Sequence, residues 1–199
     1  LEFRRVLFRS RTIEVQVDKN AALYYYPQPV IPFAQSAFDS KMTIHLEDET
    51  SKLFLLEIIS CGRNAHEERF QYRRFSSKVL LYRGEKLIYR DNTRYEPGKM
   101  PMEGIGLYEG FTHMANLFLS KLCDRGDADG LDRTSELKEK IWQILDEDSE
   151  VDGGVTRLTT GDLALRIFGH RAQKLQQIAE KIKEIYTSCQ INHKSVMNE

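Results

Sequence analysis

Glu57, Cys61, His66, Glu67 and Glu68 bring oxygen, sulfur and nitrogen donors together within twelve residues of sequence. Donors of this borderline softness suit brief contact with a late first-row divalent ion rather than its permanent storage. The same residues admit a plainer reading, with Glu57 a strand residue paired to Arg63 and His66 a turn residue. Other chemistries have no visible carrier. The five histidines (His45, His66, His113, His170, His193) never recur four apart around an acidic residue, so no zinc-protease arrangement is legible. There is no GxSxG elbow and no Cys/His pair in a nucleophile's setting.

Two further stretches carry suggestive spacing. Gly104, Gly106 and Gly110 resemble a dinucleotide loop, but the spacing is GxGxxxG and Pro97-Gly98-Lys99-Met100-Pro101 ahead of it is no strand. A phosphate cradle needs strand, turn and helix N-terminus in succession. Asp127, Asp129, Gly130 and Glu136 fall on positions 3, 5, 6 and 12 of a calcium loop, yet Arg125 occupies the first ligand position. An acidic loop leading into a helix accounts for them better.

The elements that must position these residues are mostly strands. Ile13, Val15 and Val17 alternate with polar neighbours, as do Met42, Ile44 and Leu46. Leu53–Ile59 is nearly all apolar and reads as a central strand covered on both faces. Phe70–Phe75, Val79–Tyr82 and Lys86–Tyr89 read as a meander, with Gly84 supplying positive φ in a tight connection. Pro27, Pro29 and Pro32 remove ladder donors, so that stretch must follow an edge or turn a corner. Pro97–Gly110 is irregular, Phe111–Leu122 is taken as strand, and Leu163, Leu165 and Ile167 alternate up to Gly169. Apolar spacing predicts helices over Ser135–Glu147 and Arg171–Thr187.

With 199 residues, 41% of them hydrophobic and 30% charged, the chain fits one globular domain or a large part of one. No apolar window approaches the ~20 residues of a membrane span. Three cysteines without a CxxC favour a reducing cytoplasm over a disulfide framework. Charge is uneven: eight basic residues oppose two acidic ones over Arg69–Arg94, and eleven acidic residues oppose four basic ones over Asp124–Asp152. Such patches suit docking to other proteins, or are simply solvated faces. Leu1–Ser10, with its three arginines and neither an h-region nor a cleavage site, reads as foreign to the fold.

The run Leu53-Phe54-Leu55-Leu56-Glu57-Ile58-Ile59-Ser60-Cys61-Gly62-Arg63 through Glu68-Arg69-Phe70 resembles the signature of the urease accessory proteins UreD, also called UreH: an apolar strand ending in Glu, then Gly-Arg, then Glu-x-Phe. Tyr26-Pro27-Gln28-Pro29-Val30-Ile31-Pro32-Phe33 with Ser36 is similar to the family's Pro-x-Pro segment. Ile88-Tyr89-Arg90-Asp91 resembles its basic hairpin, and Met102-Glu103-Gly104 with Glu109-Gly110-Phe111-Thr112-His113 a Gly-rich stretch of one branch. The likeness runs from roughly Thr12 to Thr187. Two departures stand out. Glu67 occupies a position where the family commonly has Gly, and nothing before Thr12 resembles the family's N-terminal portion, so the chain reads as an N-terminally truncated fragment.

The resemblance implies a mainly β fold, elongated and β-helix-like in its stacking of sheets, with two C-terminal α-helices. It implies a single partial domain over 11–190, behind a non-native leader over 1–10 and before a tail over 191–199. In function it implies no enzyme but a cytoplasmic chaperone that binds apo-urease, UreF and, through UreF, the GTPase UreG. Nickel is then weakly held cargo, with no organic cofactor, no membrane and no nucleic acid. Glu57, Arg63 and Glu68, with Cys61 and His66, are the candidates for holding the Gly62 turn or bordering a nickel passage. Pro27, Pro29, Arg73, Arg74 and Arg90 are candidate docking residues. The competing expectation is a β-rich nucleic-acid binder, in which Tyr72, Phe75, Tyr82 and Tyr89 stack bases between the cations of Arg69–Arg94.

Overall fold

A computed structural model describes residues 8–122 and 132–191. Outside the described residues lie 1–7 of the expected leader, 192–199 of the tail, Cys123, His193 and the calcium-like positions Arg125, Asp127, Asp129 and Gly130. In chain order the first strands are β1 (Phe8–Val17), β2 (Ala22–Tyr25), β3 (Ala37–Leu46) and β4 (Lys52–Ser60), then the short β5 (Gly62–Arg63) and β6 (Glu68–Arg69). Strands β7 (Arg74–Arg83), β8 (Lys86–Tyr95) and β9 (His113–Leu119) precede helix α1 (Arg133–Asp146); strands β10 (Val151–Arg157) and β11 (Leu163–Gly169) precede helix α2 (Ala172–Ile191). The fold is mainly β with two late helices.

Two compact units interleave along the chain. One takes the described residues up to Ala21, with Pro29–Ser51 and Ile59–Thr112; the other takes Ala22–Gln28, Lys52–Ile58 and the described residues from His113 onward.

The first unit holds a four-stranded sheet in the order β1-β3-β7-β8. Its register converts sequence alternation into rows of side chains: Ile13 lies opposite Met42 and Met42 opposite Val79, and likewise Val15, Ile44 and Leu81. Met42, Ile44, Val79 and Leu81 are all buried, because every second residue of each strand faces the same side. β1 extends back beyond the alternation, with Phe8 opposite Ala37 and Ser10 opposite Asp39. β1, β3 and β7 pair in parallel, which obliges the chain to return to the same end of the sheet before each new strand. It does so through Ala22–Gln28 the first time and Lys52–Ile58 the second. Gly84 (φ +56°) begins the two-residue loop joining β7 to the antiparallel β8, as expected.

The meander departs from expectation in its first member. β7 begins only at Arg74, because Phe70 takes a φ of +52° and the next residues bond a neighbouring loop instead of a strand. Gln35 N–H donates to the Gln71 carbonyl (2.8 Å) and Arg73 N–H to that of Ser36 (2.8 Å).

The second unit is built on a five-stranded sheet, β10-β11-β9-β4-β2. β4 is interior, and both its faces are buried: Phe54, Leu56 and Ile58 point into the main core, while Leu53 and Leu55 on the opposite side are equally inaccessible. Leu175, Ile178, Ala179, Ile182 and Tyr186 of α2 join that core at three-and-four spacing, with Leu137, Ile141 and Leu145 of α1. α1 starts at Asp132, whose carboxylate accepts the Ser135 N–H at 3.1 Å. β10 has no sequence signal, since Gly153 and Gly154 interrupt any alternation. Gly153 is required there, because a β-carbon would lie 2.5 Å from the Arg166 carbonyl oxygen of β11.

Candidate functional site at the Gly62 turn

Where β4 ends, the chain makes a small hairpin. β5 and β6 pair antiparallel, Gly62 opposite Arg69 and Arg63 opposite Glu68. The link is a 3-10 turn over Asn64–His66, closed by Glu67, whose N–H returns to the Asn64 carbonyl at 3.1 Å. Glu67 has a φ of +58°, so a residue with a side chain takes the left-handed position that glycine most readily fills. Gly62 itself (φ +140°) cannot be replaced: a β-carbon would sit 1.9 Å from the Glu68 carbonyl oxygen. The hairpin base is pinned by Cys61, whose N–H donates to the Thr112 carbonyl and whose carbonyl accepts from Phe70 N–H, both at 2.7 Å.

Arg63 and Glu68 form a two-pronged ion pair across this hairpin, with Arg63 Nε 2.7 Å from one carboxylate oxygen and a second bond from the terminal nitrogen to the other. The Ala34 N–H donates to the same carboxylate at 3.1 Å, and the Arg63 guanidinium lies over the Phe33 ring, 4.7 Å from its centroid. The proline segment is thereby tied to the turn. The Arg63 hydrogen bonds, then that of Ala34, lower the Glu68 carboxyl to about 2, so it is ionised at any physiological pH. Beside the pair opens a cleft of about 500 Å³ walled by Val30, Ile31, Pro32, Phe33 and Phe38, with Arg9 and Arg63 at its rim. Ile31 and Phe33 are half exposed there.

The structure brings together Arg63 and Glu68 among the sequence candidates. Cys61 is fully buried at the hairpin base, where desolvation pushes its thiol above the ordinary value and keeps it protonated, a poor state for ligating metal. His66 is exposed at the end of the 3-10 turn. Glu57 lies half-buried on β4, in the other unit. Among the described residues no three His, Cys, Asp or Glu side chains are grouped to hold a metal ion. Pro27 and Pro29 are half-buried. The Gly104–Gly110 stretch is a run of turns, with Gly106 N–H bonded to Glu109 at 2.6 Å.

The basic ribbon is largely neutralised within the chain. Arg69 is held by Glu103 (2.8 Å) and by the carbonyls of Gly110 and Phe111; Arg74 pairs with Asp39 (3.1 Å), Arg83 with Glu49 (3.4 Å) and Arg94 with Glu96 (2.7 Å). Arg73 donates to the Gln35 carbonyl at 2.9 Å, while Arg90 is exposed on β8. Sequence reasoning missed Phe33 and Ala34 as partners of the ion pair. The available signal was an aromatic directly after Pro32, too apolar for a solvent-facing loop unless something covers it.

Comparison with known proteins places this arrangement. The chain belongs to the UreD urease accessory protein family, whose model matches residues 7–198. Among its relatives, the urease accessory protein UreH of Helicobacter pylori (strain J99) is 32% identical over 180 residues, covering 90% of this chain and 63% of that protein. UreD of Acetivibrio thermocellus is 33% identical over 167 residues, covering 83% and 59%, and UreD of Haemophilus influenzae 27% identical over 186 residues, covering 89% and 65%. The chain thus spans about three-fifths of the length of these curated relatives.

Proposed function

We propose that this chain serves urease maturation as a non-catalytic docking scaffold, binding apo-urease together with UreF and, through UreF, UreG, while nickel is delivered to the urease active site. The observation that carries this reading is family membership across nearly the whole chain. The hairpin supports it physically. Polar groups are spent on fixing a turn and a proline segment beside an apolar cleft, an arrangement that holds a binding surface rigid. Nickel in this reading is cargo that must leave again, so scattered carboxylates such as Glu57 and Glu68 serve better than a closed His/Cys cage. The reading needs no organic cofactor and places the protein in the cytoplasm; no described helix is long and apolar enough to cross a membrane.

The test is reconstitution from purified components. With apo-urease, UreF and UreG, the protein forms a complex that co-elutes in size-exclusion chromatography. Glu57→Ala with Glu68→Ala lowers nickel loading of urease without dissolving that complex. Failure of the protein in its full family length to bind either urease or UreF overturns the proposal, and unchanged loading returns both glutamates to a structural role. Tight binding of nucleic acid with a steep salt dependence would favour the competing reading instead.

A further inference from the structure

Trp142 is the sole tryptophan of the chain, and it stands 48% exposed on α1, away from the face that buries Leu137, Ile141 and Leu145. Its ring lies beside Gly154 of β10, with Cζ3 3.8 Å from where a β-carbon at that glycine would stand, an ordinary packing distance. Beside it is a cleft of about 270 Å³, lined by Trp142, Leu145, Asp146, Asp148, Asp152 and Gly153. The stretch Asp146–Asp152 carries five carboxylates and no cation. Lys174 of α2 answers two of them, Asp148 and Glu150, each at 2.8 Å. Among the described residues neither Asp146 nor Asp152 has a cationic partner.

A large aromatic left half in water beside uncompensated carboxylates is what a cationic side chain complements. The indole face attracts a guanidinium, and the carboxylates accept its N–H groups. Exposed tryptophans of this kind dominate protein interfaces when covered. We propose that the cleft between α1 and the start of β10 is a docking surface for a basic segment of a partner protein, seating one arginine against Trp142 with its guanidinium held by Asp146 and Asp152. The surface lies in a different unit from the Gly62 hairpin, and the proposal stands whether or not the urease reading does.

Because Trp142 is the sole tryptophan, its emission, excited beyond the wavelengths that tyrosine absorbs, reports on this surface. Titration of the whole chain with a capped tetra-arginine peptide at low ionic strength is expected to give a saturable change in emission, and a tetra-glutamate peptide none. Asp146→Asn with Asp152→Asn is expected to weaken the arginine response about tenfold. These are exposed positions, so thermal melts should coincide with the parent's. An absent response, or one of equal strength in the double variant, overturns the proposal. So does self-association in sedimentation that shields Trp142 without peptide, which would assign the surface to a second copy.

Discussion

Gly62 and Glu68 meet backbone to backbone, so closely that the space a β-carbon would need at Gly62 is already filled by the Glu68 carbonyl, 1.9 Å away. The contact decides where β6 lies, and with it the reach of the Glu68 side chain to Arg63 and Ala34. Gly62→Ala is therefore expected to destabilise the first unit by about 4 kcal/mol or more, since backbone rather than a flexible side chain must yield. Denaturant unfolding checks this, and a loss under about 1 kcal/mol would mean that the hairpin can open at little cost.

Glu67 presents the opposite case. Its φ of +58° is one that a side chain disfavours, and its own side chain is exposed. Glu67→Gly should raise stability by about 0.5–1 kcal/mol, the relief of left-handed strain less the extra freedom of glycine in the unfolded chain. A drop in midpoint for this variant would show that the carboxylate has a role the turn does not require.

Acid should expose the Arg63–Glu68 pair. The Glu68 carboxyl titrates near 2 in the fold against an ordinary value of 4.5, so its contribution is complete above about 4.5 and fades as pH falls toward 2. Glu96, lowered to about 2 by Lys99 and then Arg94, fades over the same interval and gives a background common to parent and variant. Melting temperatures of parent and Glu68→Gln should accordingly differ at pH 6 and converge near pH 2. A gap that persists to pH 2 would attribute the difference to packing or geometry around the side chain rather than to its charge.

Much of this architecture is legible in the amino-acid sequence itself. Strands such as β1 and β3 declare themselves because one face is buried and the other wetter, so Ile13, Val15, Met42 and Ile44 fall at alternate positions. The helices declare themselves through Leu137, Ile141, Leu175 and Ile182 in the same way. What stayed hidden lacked a period. β5 and β6 are two residues each, and Gly153-Gly154 leaves β10 without side chains to alternate. The parallel order β1-β3-β7 was hidden for another reason, since pairing partners are set by what lies between strands and not by the strands themselves. Opposite charges at Arg63 and Glu68 hinted at a turn, whereas the Phe33 and Ala34 contacts come from some thirty residues upstream, beyond any local pattern.

The α1 cap offers an independent check on the second unit. Asp132 receives the Ser135 N–H and side-chain hydroxyl, and it also pairs with Arg157 at the end of β10. Asp132→Ala should cost about 1–2 kcal/mol by losing the cap, and Asp132→Asn considerably less, because an amide oxygen still accepts the N–H. Equal losses for the two substitutions would assign the effect to the Arg157 pair.

The alternation of the two units along the chain has a practical consequence for anyone wishing to divide the protein. No single cut parts one sheet cleanly from the other: a piece ending after β8 holds β1, β3, β7 and β8 but carries β2 and β4 away from the second sheet, and severing the chain after Ser51 strands β1 and β3 without β7, and β2 without β4. A chain cut after Ser51 is thus expected to recover both sheets only when its two pieces are mixed, and synthesis must reach β7 before β3 gains the neighbour on its second side.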